Sequence, residues 1–206
     1  MSAQNGKIVG LTGGIGSGKS AAAARFSVNG ALTLDADAVS RTLLEQEGAC
    51  YRPVIEAFGR AYVLPDGSID RKKLAALVFH EPNQLALLNG IVHPAVCEAL
   101  LQSAGEAAAA QPERLIVLDI PLLFECGLQD RMDAVILVYA DDETRIARVM
   151  RRDGCTRAEA LARMRAQMPQ EEKKKLADYI IDNSAGLPEL FEQVDTAYRL
   201  LTTRMR

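Results

Sequence analysis

Five short apolar runs punctuate the chain: Ile8-Val9-Gly10-Leu11, Ala31-Leu32-Thr33-Leu34, Leu115-Ile116-Val117-Leu118, Ala134-Val135-Ile136-Leu137-Val138-Tyr139 and Tyr179-Ile180-Ile181. Longer stretches with helical spacing separate them. Unbroken apolar runs of this length, alternating with helices, are the pattern of strands buried on both faces. They predict an α/β fold: a five-stranded parallel sheet flanked by helices. Four of the runs lead into either a glycine-rich loop or an aspartate (Asp35, Asp119, Asp182). Ligands of such sheets sit beyond the carboxyl ends of the strands, so that edge is the expected functional one.

The spacing of the runs is uneven. About eighty residues separate the second from the third, far more than one crossover helix requires. Helical patterns occupy this interval, at Leu74-Ala75-Ala76-Leu77-Val78-Phe79 and from Gln84 to Leu101, and Asp66-Gly67 marks a turn. The pattern predicts a core made of residues 1–44 and 113–206, with 45–112 as a mostly helical insertion. The Ala-rich stretch from Ala104 to Pro112 is expected to end its last helix. His93-Pro94 falls between two helical stretches and is expected to act as a hinge or cap rather than in chemistry.

Composition narrows the class. About half of the 206 residues are apolar and a quarter charged, as in ordinary globular proteins. A net charge of −3 argues against a dedicated nucleic-acid binder. Cys50, Cys97, Cys126 and Cys155 lie far apart, with no CxxC or Cys/His cluster, and are expected to be reduced thiols. The first residues lack the basic and apolar regions of a signal peptide. No apolar run in the sequence approaches the roughly 18–20 residues that span a bilayer. The expectation is a soluble, cytoplasmic protein with no membrane partner. One local departure stands out: residues 145–175 hold seven Arg and three Lys against four acidic residues, a segment suited to meeting something negative.

Gly13-Gly14-Ile15-Gly16-Ser17-Gly18-Lys19-Ser20 matches the Walker A pattern G-x-x-x-x-G-K-[ST]. Glycines are required there because backbone N–H groups wrap the phosphates, and a Cβ would block the approach. Lys19 is expected to reach the β- and γ-phosphates, and the Ser20 hydroxyl to coordinate Mg²⁺. A strand precedes the loop and an Ala-rich helix follows, as this motif demands. The guanine-reading Asn-Lys-x-Asp is absent from the chain. The length, the insertion and the basic segment suit an ATP-dependent kinase of a small molecule.

Phosphoryl transfer needs a carboxylate to orient the acceptor hydroxyl and take its proton. Asp35 is the candidate base, with Asp37 as a helix cap or a water-mediated metal partner. Asp119 ends its strand as a Walker B aspartate would. The apolar segment that follows, Pro121-Leu122-Leu123-Phe124-Glu125, suits either plain core or a pocket for a greasy substrate arm. Arg145, Arg148 and Arg152 are spaced to share one helix face. Few acidic partners stand near them, so they are expected to be lid arginines that stabilise transition-state charge.

Together these residues resemble the dephospho-coenzyme A kinase family. The resemblance rests on Gly10-Leu11-Thr12 with the loop, Asp35-Ala36-Asp37, Gly67-x-Ile69-Asp70-Arg71-x-x-Leu74, His93-Pro94, Pro121 to Glu125, Arg152-Asp153, Gln167 and Asp182-Asn183. It spans nearly the whole chain; one departure is Ala21, where Thr is commoner. It implies transfer of the ATP γ-phosphoryl to the ribose 3′-hydroxyl of dephospho-coenzyme A. The implied catalytic residues are Asp35, Lys19, Arg148 and Arg152, with the glycine loop and Asn183 at the nucleotide. The implied substrate residues are Asp35, Asp37, His93, Pro121, Leu122, Leu123 and Glu125. The insertion would bind coenzyme A, and residues 145–175 would form the lid. A kinase of another small acceptor, such as a nucleoside monophosphate, and a nucleotide-dependent regulator without transfer are the competing expectations. Oligomeric state is not expressed in the sequence.

Overall fold

The computed structural model describes residues 7–203. Five strands, β1 (Ile8–Thr12), β2 (Leu32–Asp35), β3 (Ile116–Asp119), β4 (Ala134–Tyr139) and β5 (Tyr179–Asp182), form one sheet in the order β2-β3-β1-β4-β5. Every pairing is parallel, as the double-sided apolar runs require. The first strand lies in the middle, with β3 on one side and β4 on the other. Its carboxyl end is therefore the point where the winding changes direction, the usual position for a ligand in such sheets.

The chain divides into two compact units, residues 1–35 with 103–206, and residues 36–102. In the first, α1 (Lys19–Val28) and α9 (Leu187–Thr203) cover one face of the sheet. From α9, Leu190, Val194, Ala197 and Leu201 recur at helical spacing against Val9, Leu11, Ile136, Val138 and Ile181, around Ala22 and Phe26 of α1. Burying such a stripe is worth about 1.5–3 kcal/mol per large side chain, which is what fixes the helices to the sheet. Outside this core, the basic segment folds as α6 (Asp142–Asp153), α7 (Arg157–Arg165) and α8 (Gln170–Leu176). Their boundaries are local chemistry. The Asp141 side chain accepts from Thr144 N–H (2.8 Å) to start α6, and Gly154 ends it in the left-handed region. Thr156 and Glu159 close a capping box at α7.

The second unit holds α2 (Ala36–Leu43), α3 (Tyr51–Phe58) and α4 (Arg71–His80), together with most of α5 (Pro82–Ala110). Asp70 caps α4 through Lys73 N–H, and the expected turn at Asp66-Gly67 forms, with Gly67 at φ 86° and its carbonyl bonded by the Tyr51 hydroxyl. Tyr51, Arg52, Ile55, Glu56, Gly59, Arg60, Val63 and Gly67 line a cleft of about 660 Å³.

Two expectations are corrected here. His93-Pro94 does not separate two helices: α5 runs unbroken for 29 residues with Pro94 inside it. Proline removes one hydrogen bond of the ladder, and the bonds on either side carry the helix through. The same continuity makes α5, at a mean hydropathy of 1.3, long and apolar enough by composition to cross a membrane, which no run of the sequence had suggested. Its buried residues recur at i, i+4, with Val92, Val96 and Leu100 in the 36–102 unit and Ala104 and Ala108 in the other, the spacing of a helix that buries one face.

Candidate active site

The glycine loop leaves β1 at Thr12 and delivers the chain into α1. Gly18, the N-cap of α1, sits at φ 94° with no side-chain cap, and no acidic residue occupies the first turn. The orphan N–H groups of this helix end therefore face the loop, with the positive end of the helix dipole behind them. A Cβ on Gly18 would strike the Asn183 amide, and one on Gly14 would strike the Arg145 guanidinium. These two glycines allow side chains to press against the loop from behind.

Three residues provide that support. Asn183, just beyond β5 and 2% exposed, donates from Nδ2 to the Ser17 carbonyl at 2.7 Å. Arg145 of α6 is buried and donates from Nε to the Ile15 carbonyl (3.0 Å) and from Nη1 to Asp142 (3.0 Å). Burial pushes its guanidinium below the ordinary value, and Asp142 offsets part of that. Gln167 accepts the Ile15 N–H at 2.8 Å. The loop is thus preorganised by partners more than a hundred residues away in sequence, two of which, Arg145 and Gln167, lie in the basic segment.

At the strand ends, Lys19 bonds Asp119, whose residue is 7% exposed. Asp35 stands directly opposite Asp119 in the β2–β3 register and is exposed. Parallel neighbours lie about 4.8 Å apart, so two carboxylates share the mouth of the sheet beside the loop lysine. Ser20, in the first turn of α1, is exposed. Ser17 Oγ, Arg148 Nη1 and Asn183 Oδ1 are buried around the loop without a hydrogen bond.

The remaining expected residues take varied positions. Arg148 donates from Nη2 to the Asn183 carbonyl at 2.9 Å. Arg152 is exposed and grips Asp153 with two bonds (2.6 and 2.9 Å), and Arg163 joins them at 2.5 Å. Acidic partners, expected to be scarce near these arginines, are present for two of them: Asp142 for Arg145 and the adjacent Asp153 for Arg152. The Arg152 bonds, with Arg163 adding to them, hold the Asp153 carboxyl below the usual range. Arg145, Arg148 and Arg152 thus share α6 without sharing an environment. Leu123 is fully enclosed against Gly10, Leu122 and Pro121 are half-buried, and the Glu125 carboxylate meets Lys173. Asp37 and His93 belong to the 36–102 unit, Asp37 exposed in the first turn of α2 and His93 half-buried in α5. Burial lowers the His93 pKa.

Comparison with known proteins gives this geometry a family. The model of the dephospho-CoA kinase family matches residues 7–189. A dephospho-CoA kinase of Carboxydothermus hydrogenoformans is 43% identical, over 92% of this chain and 91% of its own. The chain belongs to the dephospho-CoA kinase family. A solved structure from Thermus thermophilus, 40% identical, superposes with a TM-score of 0.78 over 94% of this chain and 96% of that one. The dephospho-CoA kinase of Campylobacter jejuni, 23% identical, shares the fold at a TM-score of 0.67 over 96% and 98%.

As a dephospho-CoA kinase family member the chain is an ATP-dependent kinase with a P-loop fold. The supporting residues were the ones missed from sequence as supports. In the sequence Gln167 and Asn183 stand out only within the family pattern. Nothing local marks a side chain that reaches a loop more than 150 residues away.

Proposed function

We propose that this chain transfers the γ-phosphoryl group of ATP to the ribose 3′-hydroxyl of dephospho-CoA, giving CoA and ADP. The observation that carries the reading is the pairing of Asp35 with Asp119 in register, beside Lys19 and the glycine loop, in a chain of this family.

The loop N–H groups and the α1 terminus hold the phosphates, and Lys19 neutralises charge at the β- and γ-positions. Asp35, exposed at the strand end, orients the acceptor hydroxyl and takes its proton as the O–P bond forms and ADP departs. Asp119 keeps Lys19 directed at the site. Arg148 and Arg152, carried by α6, are the candidates for offsetting transition-state charge. Hard oxygen donors, the Ser20 hydroxyl and the two carboxylates, suit Mg²⁺, which takes few protein ligands and is bound mainly by phosphates and water. When bound it would neutralise the charge on the phosphates.

The unit of residues 36–102 is the candidate for acceptor binding. Its cleft joins the apolar Ile55 and Val63 to the cationic Arg52 and Arg60, a lining that suits a long arm bearing phosphates. Asp37 and His93 belong to the same unit. Both substrates are water-soluble, so the reading carries a cytoplasmic location and no nucleic-acid or membrane partner.

ADP release is the test, with ATP and Mg²⁺ and with dephospho-CoA, AMP, CMP or no acceptor. Turnover with dephospho-CoA alone, yielding CoA, is the expected result. Preference for another acceptor would overturn the substrate, and binding of ATP without any transfer would overturn the reaction.

A further inference from the structure

Lys173 of α8 is 0% exposed, although lysine normally keeps its ammonium in water. Its Nζ donates to the Pro121 carbonyl and to Glu125 Oε2, each at 3.2 Å, and lies 2.9 Å from Glu125 Oε1 as an ion pair. Glu125 Oε1 also accepts the Met168 N–H at 2.9 Å. The second donor to the Pro121 carbonyl is the Thr12 hydroxyl, at 3.2 Å, at the end of β1 and one residue before the glycine loop. On the same segment, Gln167 holds the Ile15 N–H, and Gln170 Nε2 donates to the Ala140 carbonyl at 3.0 Å. Residues 167–173 therefore fasten three things together: the glycine loop, the end of β4, and the turn that begins two residues after Asp119.

Lys173 is fully buried while the Glu125 side chain keeps 23% exposure. Such an ion pair is a poor source of stability, because desolvating the ammonium cancels most of the attraction and apolar side chains of similar size do as well or better. What it does supply is direction. Two directed hydrogen bonds from one ammonium, to the Pro121 carbonyl and to Glu125 Oε2, are satisfied together in one arrangement only, whereas an apolar contact tolerates sliding. We propose that Lys173 and Glu125 are positioning residues for phosphoryl transfer. They lock the 121–127 turn, and through it the Asp119 end of β3, against the phosphate loop. In this role the pair acts through Pro121 and Asp119. This inference rests on the transfer reaction proposed above for its kinetic readout, since misplacement by about an ångström is enough to lower turnover a hundredfold.

The test compares the full-length wild type with Glu125→Gln, Lys173→Met and the apolar pair Glu125→Leu/Lys173→Met. Glu125→Gln is expected to lower kcat roughly tenfold or more while the KM for ATP stays within about threefold, a split that marks lost transition-state alignment. Lys173→Met leaves Glu125 without its cation and is expected to lower the melting temperature as well. The apolar pair is expected to regain the wild-type melting temperature without regaining kcat. Recovery of both by the apolar pair, or a kcat within about twofold of wild type for Glu125→Gln, would show the pair to be structural only. Absence of turnover by the wild type with dephospho-CoA would sink the reaction and not the positioning role, which amide hydrogen exchange then decides. Glu125→Gln must speed exchange at 121–128 and at Ile15 while leaving β4 and β5 unchanged, and unchanged exchange at those positions would overturn the proposal.

Discussion

Replacing Asn183 with alanine removes the amide that holds the glycine loop from behind. The Ser17 carbonyl loses a 2.7 Å bond in a place that water cannot reach, because Asn183 is 2% exposed and Ser17 is 0% exposed. A buried acceptor left unpaired costs about 1–3 kcal/mol. Taking about 2 kcal/mol, and about 2–4 °C per kcal/mol for a chain of this size, the melting temperature should fall by about 4–8 °C. The loop must then be re-ordered by the nucleotide. If about 1–2 kcal/mol of that ordering is charged to binding, the ATP dissociation constant rises roughly five- to thirtyfold. Because the amide donates to the loop backbone, ATP and GTP should weaken by the same factor. Differential scanning fluorimetry and titration calorimetry with both nucleotides measure these quantities. Asn183→Leu, which keeps the volume but not the donor, should weaken nucleotide binding as much as alanine does. An unmoved melting temperature with altered ATP-over-GTP preference would refute the reasoning and make Asn183 a base-reading residue.

Three further outcomes follow from the site. Asp35→Asn should lower kcat by about 10²–10⁴-fold, the range for a lost general base, with ATP affinity nearly unchanged; loss of ATP binding in calorimetry would make Asp35 a metal or structural residue instead. Lys19→Ala removes the charge proposed to face the β/γ-phosphates and should lower kcat by about 10²–10³-fold, and a steady-state assay retaining more than about a tenth of the activity would refute its role. Far from the site, Arg25 and Asn29 hold the Asp195 carboxyl at about 2, by hydrogen bonds of 2.7 and 2.6 Å from Arg25 and 2.8 Å from Asn29. A depressed carboxylate stabilises the fold above its unfolded value of 3.8 and loses that contribution as pH falls toward about 2. Urea unfolding of Asp195→Asn should accordingly depend less steeply on pH than the wild type between about 4 and 2, and parallel curves would show that the pair contributes nothing to the linkage.

Much of this protein was legible locally. Each of the five strands appears where an apolar run stands, and β4 spans the expected residues from Ala134 to Tyr139. The glycine loop and the aspartates at the ends of β2 and β3 need only the order of neighbouring residues to be recognised, because strand periodicity and tight-turn chemistry act within a few positions. Helix α5 was harder to read. Its proline looked like a boundary, yet a ladder of hydrogen bonds on both sides carries it through. The arginines of α6 were harder still, since helical spacing puts side chains on one face but cannot say what lies opposite that face.

What the chain determined by itself, then, is a parallel sheet with a phosphate loop and carboxylates at its strand ends. Only the tertiary structure decided that β3 inserts between β2 and β1, and hence that Asp35 stands beside Asp119 and Asp119 meets Lys19. It alone turned Arg145, Asn183 and Gln167 into supports of the loop, and placed Lys173 beneath the turn that follows β3. The reason is the reach of the forces involved. Backbone propensity and apolar periodicity are written in adjacent residues, whereas these contacts join positions 52 to 166 residues apart. They form only after the burial of the sheet has brought their elements together.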